Sequence, residues 1–166
     1  MQIKTQIQFK DYLKLQYTLS YQSFFTLFST CLVVIAFIVS FRQILEGAAD
    51  DDTIYWLIFL GAYIFLRPVV TYFATKKNFN THQILREEII YEFLPDKLLV
   101  TTSYSNSEIP WTKMYKIREL KKWFLIYQSN RTANLISKNF LTDEQILQLR
   151  SLFKSIQGIK LKLKSK

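Results

Sequence analysis

Two long apolar segments near the N-terminus constrain this chain more than any other feature of its sequence. No charged residue lies between positions 15 and 41, and the apolar run over 54–73 contains a single charge, Arg67. A helix needs about 20 apolar residues to cross a hydrocarbon layer of ~30 Å. We therefore predict transmembrane helices over residues 22–41 and 54–73, within a helical hairpin of residues 22–75.

Two other interpretations of the first apolar run are disfavoured. A cleaved signal peptide has a short apolar core of ~7–15 residues close to the start of the chain and a small-residue cleavage pattern, and this run has neither. A buried helix of a soluble protein would show a polar face at helical spacing, which the run also lacks. The sequence therefore predicts an integral membrane hairpin.

The charges on either side of the hairpin predict its orientation. Lysines precede the first span and follow the second, whereas the predicted loop of residues 42–53 has one arginine against four acidic residues. Positive charge marks the cytoplasmic side of a membrane. We expect a multi-pass protein of the cell inner membrane with both termini in the cytoplasm.

Arg67, followed by Pro68, is the one ionisable side chain inside either predicted span. Intramembrane charges are expensive and are candidates for function. The other interpretation is anchoring, because a long side chain two turns from the helix end can reach the headgroups, and Pro68 is able to kink the helix there. We favour anchoring over a role in transport.

Residues 1–21 are predicted to lie in the cytoplasm as a short strand and a helix. Ile3, Thr5, Ile7 and Phe9 alternate with polar neighbours, which is the period of a strand, and this strand could add to a later sheet. Asp11 is the predicted cap of a helix that leads into the first span.

The remaining residues, 78–166, are typical of a small β-rich cytoplasmic domain. Six short runs rich in β-branched and aromatic residues are separated by turn signals, which predicts strands over 88–94, 97–104, 107–111, 114–119, 123–128 and 133–137. The connections are too short for crossovers, so antiparallel pairing is expected.

A helix is predicted over residues 143–157, because Thr142 and Gln145 form a capping-box pattern and apolar residues recur at helical spacing. The tail that follows alternates apolar residues with lysines. It is an edge strand, a segment on the membrane surface, or a frayed end.

Residues 108–153 resemble the C-terminal domain of the YcxB-like family of bacterial membrane proteins. The resemblance rests on the Ile-Pro-Trp sequence at 109–111, on Lys138 with Phe140, and on the helix that closes the segment. Ser137 stands where the family tends to have proline. The two-span hairpin fits the same arrangement, and the resemblance implies a pleckstrin-homology-like β fold with no established biochemical activity. The expected fold class is therefore a membrane α+β protein, with a helical hairpin followed by an antiparallel sheet and a closing helix.

The sequence offers little for catalysis. His82 is the only histidine and Cys31 the only cysteine, and neither has a partner at the spacing of metal ligands or of a Cys–His pair. Glu88 and Glu92 are better explained as a solvated strand face than as a carboxylate pair. With three glycines in the chain, no phosphate loop can form. We predict no enzymatic activity, no cofactor and no metal.

One basic cluster is the candidate binding surface. The cluster consists of Lys113, Lys116, Arg118, Lys121 and Lys122, together with the lysines of the tail. Anionic lipid headgroups attract such clusters, and tethering to a membrane favours lipid over nucleic acid, so we expect no nucleic-acid partner. The alternative is an ordinary solvated surface. Trp111 and Trp123 flank the cluster as either anchors for a protein partner or core residues.

The expected function is a membrane-tethered interaction or regulatory module at the inner leaflet, with the lipid bilayer or a protein as its partner. The alternative is an immunity-type protein that protects the cell against a toxin directed at the membrane or the wall. The sequence does not distinguish oligomeric states.

Overall fold

The chain folds into two compact units in the computed structural model, which describes residues 1–130 and 132–163. The helical unit comprises residues 8–82, and the sheet unit combines residues 1–7 with the chain from residue 83 onward. This division differs from the predicted one, in which residues 1–21 and 78–166 were separate. The first strand belongs to the sheet unit and the first helix to the helical unit.

The helical unit contains three helices, α1 (Phe9–Tyr21), α2 (Phe24–Leu45) and α3 (Asp51–Thr81). Helices α2 and α3 are long and apolar enough to cross a membrane, and their most apolar windows are not buried inside the protein. This is the architecture of a membrane protein, as predicted.

The loop between α2 and α3 is shorter than the predicted 42–53, because both helices extend into that segment. Asp50 begins α3 as its N-cap, and its Oδ1 accepts a hydrogen bond from the backbone N–H of Thr53 at 2.8 Å. Asp51 and Asp52 fall in the first turn, where negative charge interacts favourably with the helix dipole. The acidic residues thus start a helix instead of filling a loop.

Helix α1 is separate from α2, which corrects the prediction of one helix leading into the membrane. The helical run ends at Tyr21 and resumes at Phe24. Gln8 occupies the N-cap position and Asp11 lies in the first turn, so Asp11 is not the predicted cap. Helix α1 packs along the C-terminal half of α3, where the Tyr17 hydroxyl donates to the Pro68 carbonyl at 2.8 Å.

The sheet unit contains two four-stranded sheets, in the orders β1-β2-β3-β4 and β7-β6-β5-β8. The strands are β1 Gln2–Gln6, β2 Glu88–Phe93, β3 Lys97–Thr101, β4 Asn106–Pro110, β5 Lys116–Glu119, β6 Trp123–Tyr127, β7 Ala133–Ser137 and β8 Lys160–Lys162. The six strands predicted over residues 88–137 are present; four are slightly shorter than predicted, β4 is shifted by one residue, and β7 has the predicted bounds.

Strand β8 corrects the expectation of antiparallel pairing throughout. It pairs with β5 in parallel, whereas the other strand pairs are antiparallel among the described residues. A parallel pair needs a crossover connection, and α4 (Asp143–Ser155) stands between β7 and β8 in the chain. Residues 160–162 therefore form an edge strand, which is one of the three structures considered for the tail.

One hydrophobic core joins both sheets to α4. The Phe153 ring lies 6.1 Å from that of Phe93 in the first sheet and 5.6 Å from that of Phe124 in the second. Helix α4 starts with the predicted capping box, in which Thr142 and Gln145 satisfy each other's backbone N–H groups. The predicted α+β fold class, with a hairpin, a sheet and a closing helix, is confirmed.

Strand β1 completes the first sheet across a long sequence separation. Ile3 pairs with Tyr91 in register, and the side chains of Ile3, Thr5 and Ile7 are buried while the residues between them are exposed. The sheet unit therefore depends on the first seven residues of the chain.

Candidate functional site

The basic residues of β5 and β8 lie side by side. Ile117 and Glu119 of β5 are buried, so Lys116 and Arg118 point to the opposite side of the strand. In the parallel register, Lys116 pairs with Lys160 and Arg118 pairs with Lys162. We call these four side chains the basic face.

The basic face sets like charges directly opposite each other on neighbouring strands that are ~4.8 Å apart. Like charges on neighbouring strands repel each other, and an anion near the two exposed lysines, Lys160 and Lys162, reduces that repulsion. Lys160 and Lys162 are exposed, so an anion has access to them. The arrangement suits a negatively charged surface or ligand.

Aromatic rings hold one member of this face in place. The Lys116 ammonium lies 4.4 Å from the ring centroid of Tyr127, its partner in β6, and 5.4 Å from that of Tyr115. Cation–π contacts of this kind stabilise a charge without neutralising it. The two rings therefore hold the Lys116 side chain in position on the basic face.

The other basic residues of the predicted cluster lie beyond the two ends of β5. Lys113 is exposed before the strand, and Lys121 and Lys122 are exposed in the turn between β5 and β6. The last two lysines of the predicted tail, Lys164 and Lys166, lie outside the described residues. The structure thus brings together the centre of the predicted cluster and the first tail lysines.

A buried ion cluster lies on the inner side of the same strand. The Glu119 carboxylate is fully buried, and Arg150 of α4 donates to both its oxygens, from Nη2 to Oε1 at 2.6 Å and from Nε to Oε2 at 3.1 Å. Lys138, in the short 3₁₀ segment before α4, pairs with the same carboxylate. The hydrogen bond to Glu119 raises the pKa of the Arg150 guanidinium, which stays charged.

The ion cluster joins β5, the 3₁₀ segment and α4, so its first role is to fix the helix against the second sheet. Sequence reasoning missed Glu119 and Arg150. The available signal was strand alternation, which places Glu119 on the same inward side as Ile117.

A groove of about 400 Å³ lies beside the ion cluster, lined by Lys121, Lys138, Asp143, Ile146, Leu147 and Arg150. The cations of the groove are Lys121, Lys138 and Arg150. The anions are Asp143 and the Glu119 carboxylate, which pairs with Lys138 and Arg150. Positive and negative charges therefore nearly balance. The basic face is the stronger site for an anion.

Both candidate tryptophan anchors are core residues instead. Trp111 and Trp123 are each only 4% exposed, so neither indole is available to a partner. The Trp111 Nε1 donates to the Leu94 carbonyl at 2.9 Å, and its backbone N–H donates to the Asp96 carbonyl at 3.1 Å. The Ile-Pro-Trp sequence thus ties the end of β4 to the turn between β2 and β3.

Arg67 lies in a small polar cluster of the helical unit. Its Nη1 donates a 2.6 Å hydrogen bond to the Thr30 hydroxyl of α2. The guanidinium carbon lies 5.9 Å from the ring centroid of Tyr21 and 5.7 Å from that of Tyr63. The side chain therefore points toward neighbouring helices.

The residues considered for catalysis do not converge. Glu88 pairs with Lys4 at 3.1 Å on the surface, Cys31 is exposed on α2, and His82 follows the last residue of α3. Within residues 1–130 and 132–163, no group of three or more His, Cys, Asp or Glu side chains is placed to hold a metal ion.

The two units define a membrane protein that carries a small sheet domain. The family model described as YcxB-like protein matches residues 93–153, from the end of β2 through most of α4. The resemblance found in the sequence is confirmed over these residues, which include Lys116, Arg118 and the whole ion cluster. No curated protein and no solved structure matches the chain.

Proposed function

We propose that this protein is a membrane-tethered cytoplasmic module that docks on anionic headgroups of the inner leaflet through its basic face and performs no catalysis. The observation that carries the proposal is the register of β5 and β8, which pairs Lys116 with Lys160 and Arg118 with Lys162. Juxtamembrane lysines and arginines each contribute about 1 kcal/mol of attraction to an anionic surface.

Two short segments of the chain tether the sheet unit to the membrane helices. Two residues separate β1 from α1, and residues 82–87 separate α3 from β2. Surface attraction is screened within ~10 Å at 0.1 M salt, so a basic surface needs such a tether to act on headgroups. Lysines on the terminal sides of both predicted spans support a cytoplasmic position for this unit under the positive-inside rule.

The fold supports a binding module. Two four-stranded sheets closed by one C-terminal helix are consistent with the pleckstrin-homology-like domain that the family resemblance implies. The turn between β2 and β3 has only Leu94, Pro95 and Asp96 between the strands and contains no lysine or arginine. We therefore propose docking driven by charge, without a pocket for one particular headgroup.

The test uses a fragment in which residues 1–7 are joined by a flexible linker to residues 83–166, because β1 belongs to the sheet unit. We expect it to sediment with vesicles that contain phosphatidylglycerol at low salt and to be released by 0.5 M salt, since screening then acts within about 4 Å. Phosphatidylcholine vesicles should not bind it. Equal binding to both kinds of vesicle would exclude charge-driven docking.

A matched pair of double variants locates the surface. Lys160→Gln with Lys162→Gln should weaken partitioning onto anionic vesicles about 30-fold, which corresponds to the loss of two charges at about 1 kcal/mol each. Lys97→Gln with Lys154→Gln removes the same net charge from β3 and α4 and should have a much smaller effect. If the two pairs weaken binding equally, the basic face is not the docking surface.

A further inference from the structure

We infer that Arg67, Thr30 and Tyr21 form a binding site for the phosphate of an anionic phospholipid. The site is in the helical unit and is independent of the basic face. Thr30 lies six residues after the start of α2, and Arg67 lies six residues before the end of the predicted second span at Phe73. At 1.5 Å per residue, Thr30 is about 9 Å from the start of α2 and Arg67 about 9 Å from the end of the predicted second span.

Arg67 has no counter-charge among the residues that the structure describes. Over the described part of the chain, no carboxylate lies within 4.0 Å of its guanidinium, and its side chain makes one hydrogen bond, to Thr30. An unpaired charge at this depth costs several kcal/mol. An anion bound to the guanidinium would lower this cost.

The geometry leaves the guanidinium ready for a tetrahedral oxyanion. The Thr30 hydroxyl donates to the Thr26 carbonyl at 2.8 Å and accepts from Arg67, so its own hydrogen is already used. Of the five N–H donors of the guanidinium, one is therefore occupied and the others are free for a phosphate, which arginine binds through two parallel bonds. The Tyr21 ring flanks the guanidinium and is 41% exposed.

Lipid has access to this position. Leu66 and Val70, next to Arg67 on the surface of α3, are 58% and 62% exposed. Both are apolar side chains of a membrane helix, so acyl chains are their natural neighbours. Intramembrane arginines draw lipid headgroups inward. A lipid packed along Leu66 and Val70 in this way brings its phosphate to the level of Arg67.

A second copy of the chain is a poor source of the missing anion. Neither α2 nor the part of α3 after residue 52 contains an aspartate or a glutamate. A second hairpin in the same orientation would therefore present no carboxylate at the depth of Arg67. The phosphate of a lipid is the anion available there.

The experiment uses the full-length protein, delipidated in a neutral detergent, with short-chain phosphatidylglycerol, phosphatidylcholine or inorganic phosphate as probes. Native mass spectrometry should show retention of phosphatidylglycerol well above that of phosphatidylcholine. Arg67→Gln should lower retention about tenfold, which corresponds to 1.4 kcal/mol. Arg42→Gln removes an exposed arginine of the opposite helix end and should leave retention unchanged.

Two further variants keep the result interpretable if Arg67→Gln does not fold. Arg67→Lys preserves the charge and should retain more lipid than Arg67→Gln, whereas Thr30→Val removes the hydroxyl that orients Arg67 and should reduce retention. Equal retention by the original protein, Thr30→Val and any folded Arg67 variant would overturn the site. Displacement of bound lipid by millimolar inorganic phosphate would assign the site to free phosphate and overturn the lipid assignment.

Discussion

Glu119 has a fully buried carboxylate held by two cations from different parts of the chain. Removing one partner of a buried ion pair leaves the other charge uncompensated, which costs about 3–5 kcal/mol. We expect Glu119→Gln to lower the free energy of unfolding of the sheet unit by about 3 kcal/mol, because Arg150 and Lys138 then lose their counter-charge.

Urea unfolding of the linked fragment measures this loss, and Glu108→Gln is the matched control. Glu108 pairs with Lys97 at 2.7 Å on the surface, where such pairs contribute about 0–1 kcal/mol. Similar losses for the two variants would show that the buried cluster is no more important to stability than a surface pair.

At the scale of the element, β1 is the most consequential feature, because seven residues at the start of the chain complete a sheet formed more than eighty residues later. Ile3 and Ile7 are each 3% exposed. Burying one isoleucine side chain contributes about 1.5–3 kcal/mol. A fragment of residues 83–166 should therefore be less stable than the linked fragment by about 3–6 kcal/mol.

Thermal or urea unfolding of the two fragments checks this expectation. As a milder comparison, Ile3→Ala in the linked fragment should cause part of the loss, and Gln6→Ala, at an exposed position of β1, should cause little. Equal stability with and without residues 1–7 would mean that β1 adds nothing to the folded unit.

At the scale of the whole molecule, the antiparallel hairpin requires that both of its ends lie on the same side of the membrane. Arg67 bonds Thr30, and Gly61 lies against Phe37, so positions of α3 pair with positions of α2 in reverse order. Lysines flank the terminal ends of the predicted spans, and acidic residues lie where α2 connects to α3. We therefore expect the sheet unit in the cytoplasm and this connection on the external side.

Cysteine labelling of intact cells tests this topology after Cys31→Ala removes the natural thiol. Ala48→Cys, in the exposed loop, should react with a membrane-impermeant maleimide, and Ser155→Cys, at the end of α4, should react only after the cells are permeabilised. The reverse pattern would place the basic face outside and contradict the proposed docking at the inner leaflet.

Local signals in the sequence were enough to predict the helices and most strands. The two spans follow from apolar runs of sufficient length, and α4 follows from Thr142, Gln145 and helical periodicity, which are interactions within one turn. The strands follow from β-rich runs between turn residues. Each of these signals acts over a few neighbouring residues, so the local sequence specifies these helices and strands without contacts from the rest of the molecule.

Only the tertiary structure decided which distant residues meet. The parallel pairing of β8 with β5 and the ion pairs of Glu119 with Lys138 and Arg150 depend on contacts between separate elements. The burial of Trp111 and Trp123 also depends on such contacts, because an aromatic side chain beside basic residues has the same sequence pattern in a core as at an interface. Periodicity sets which side chains share a face of an element, but packing against the rest of the molecule decides whether that face meets water, protein or lipid.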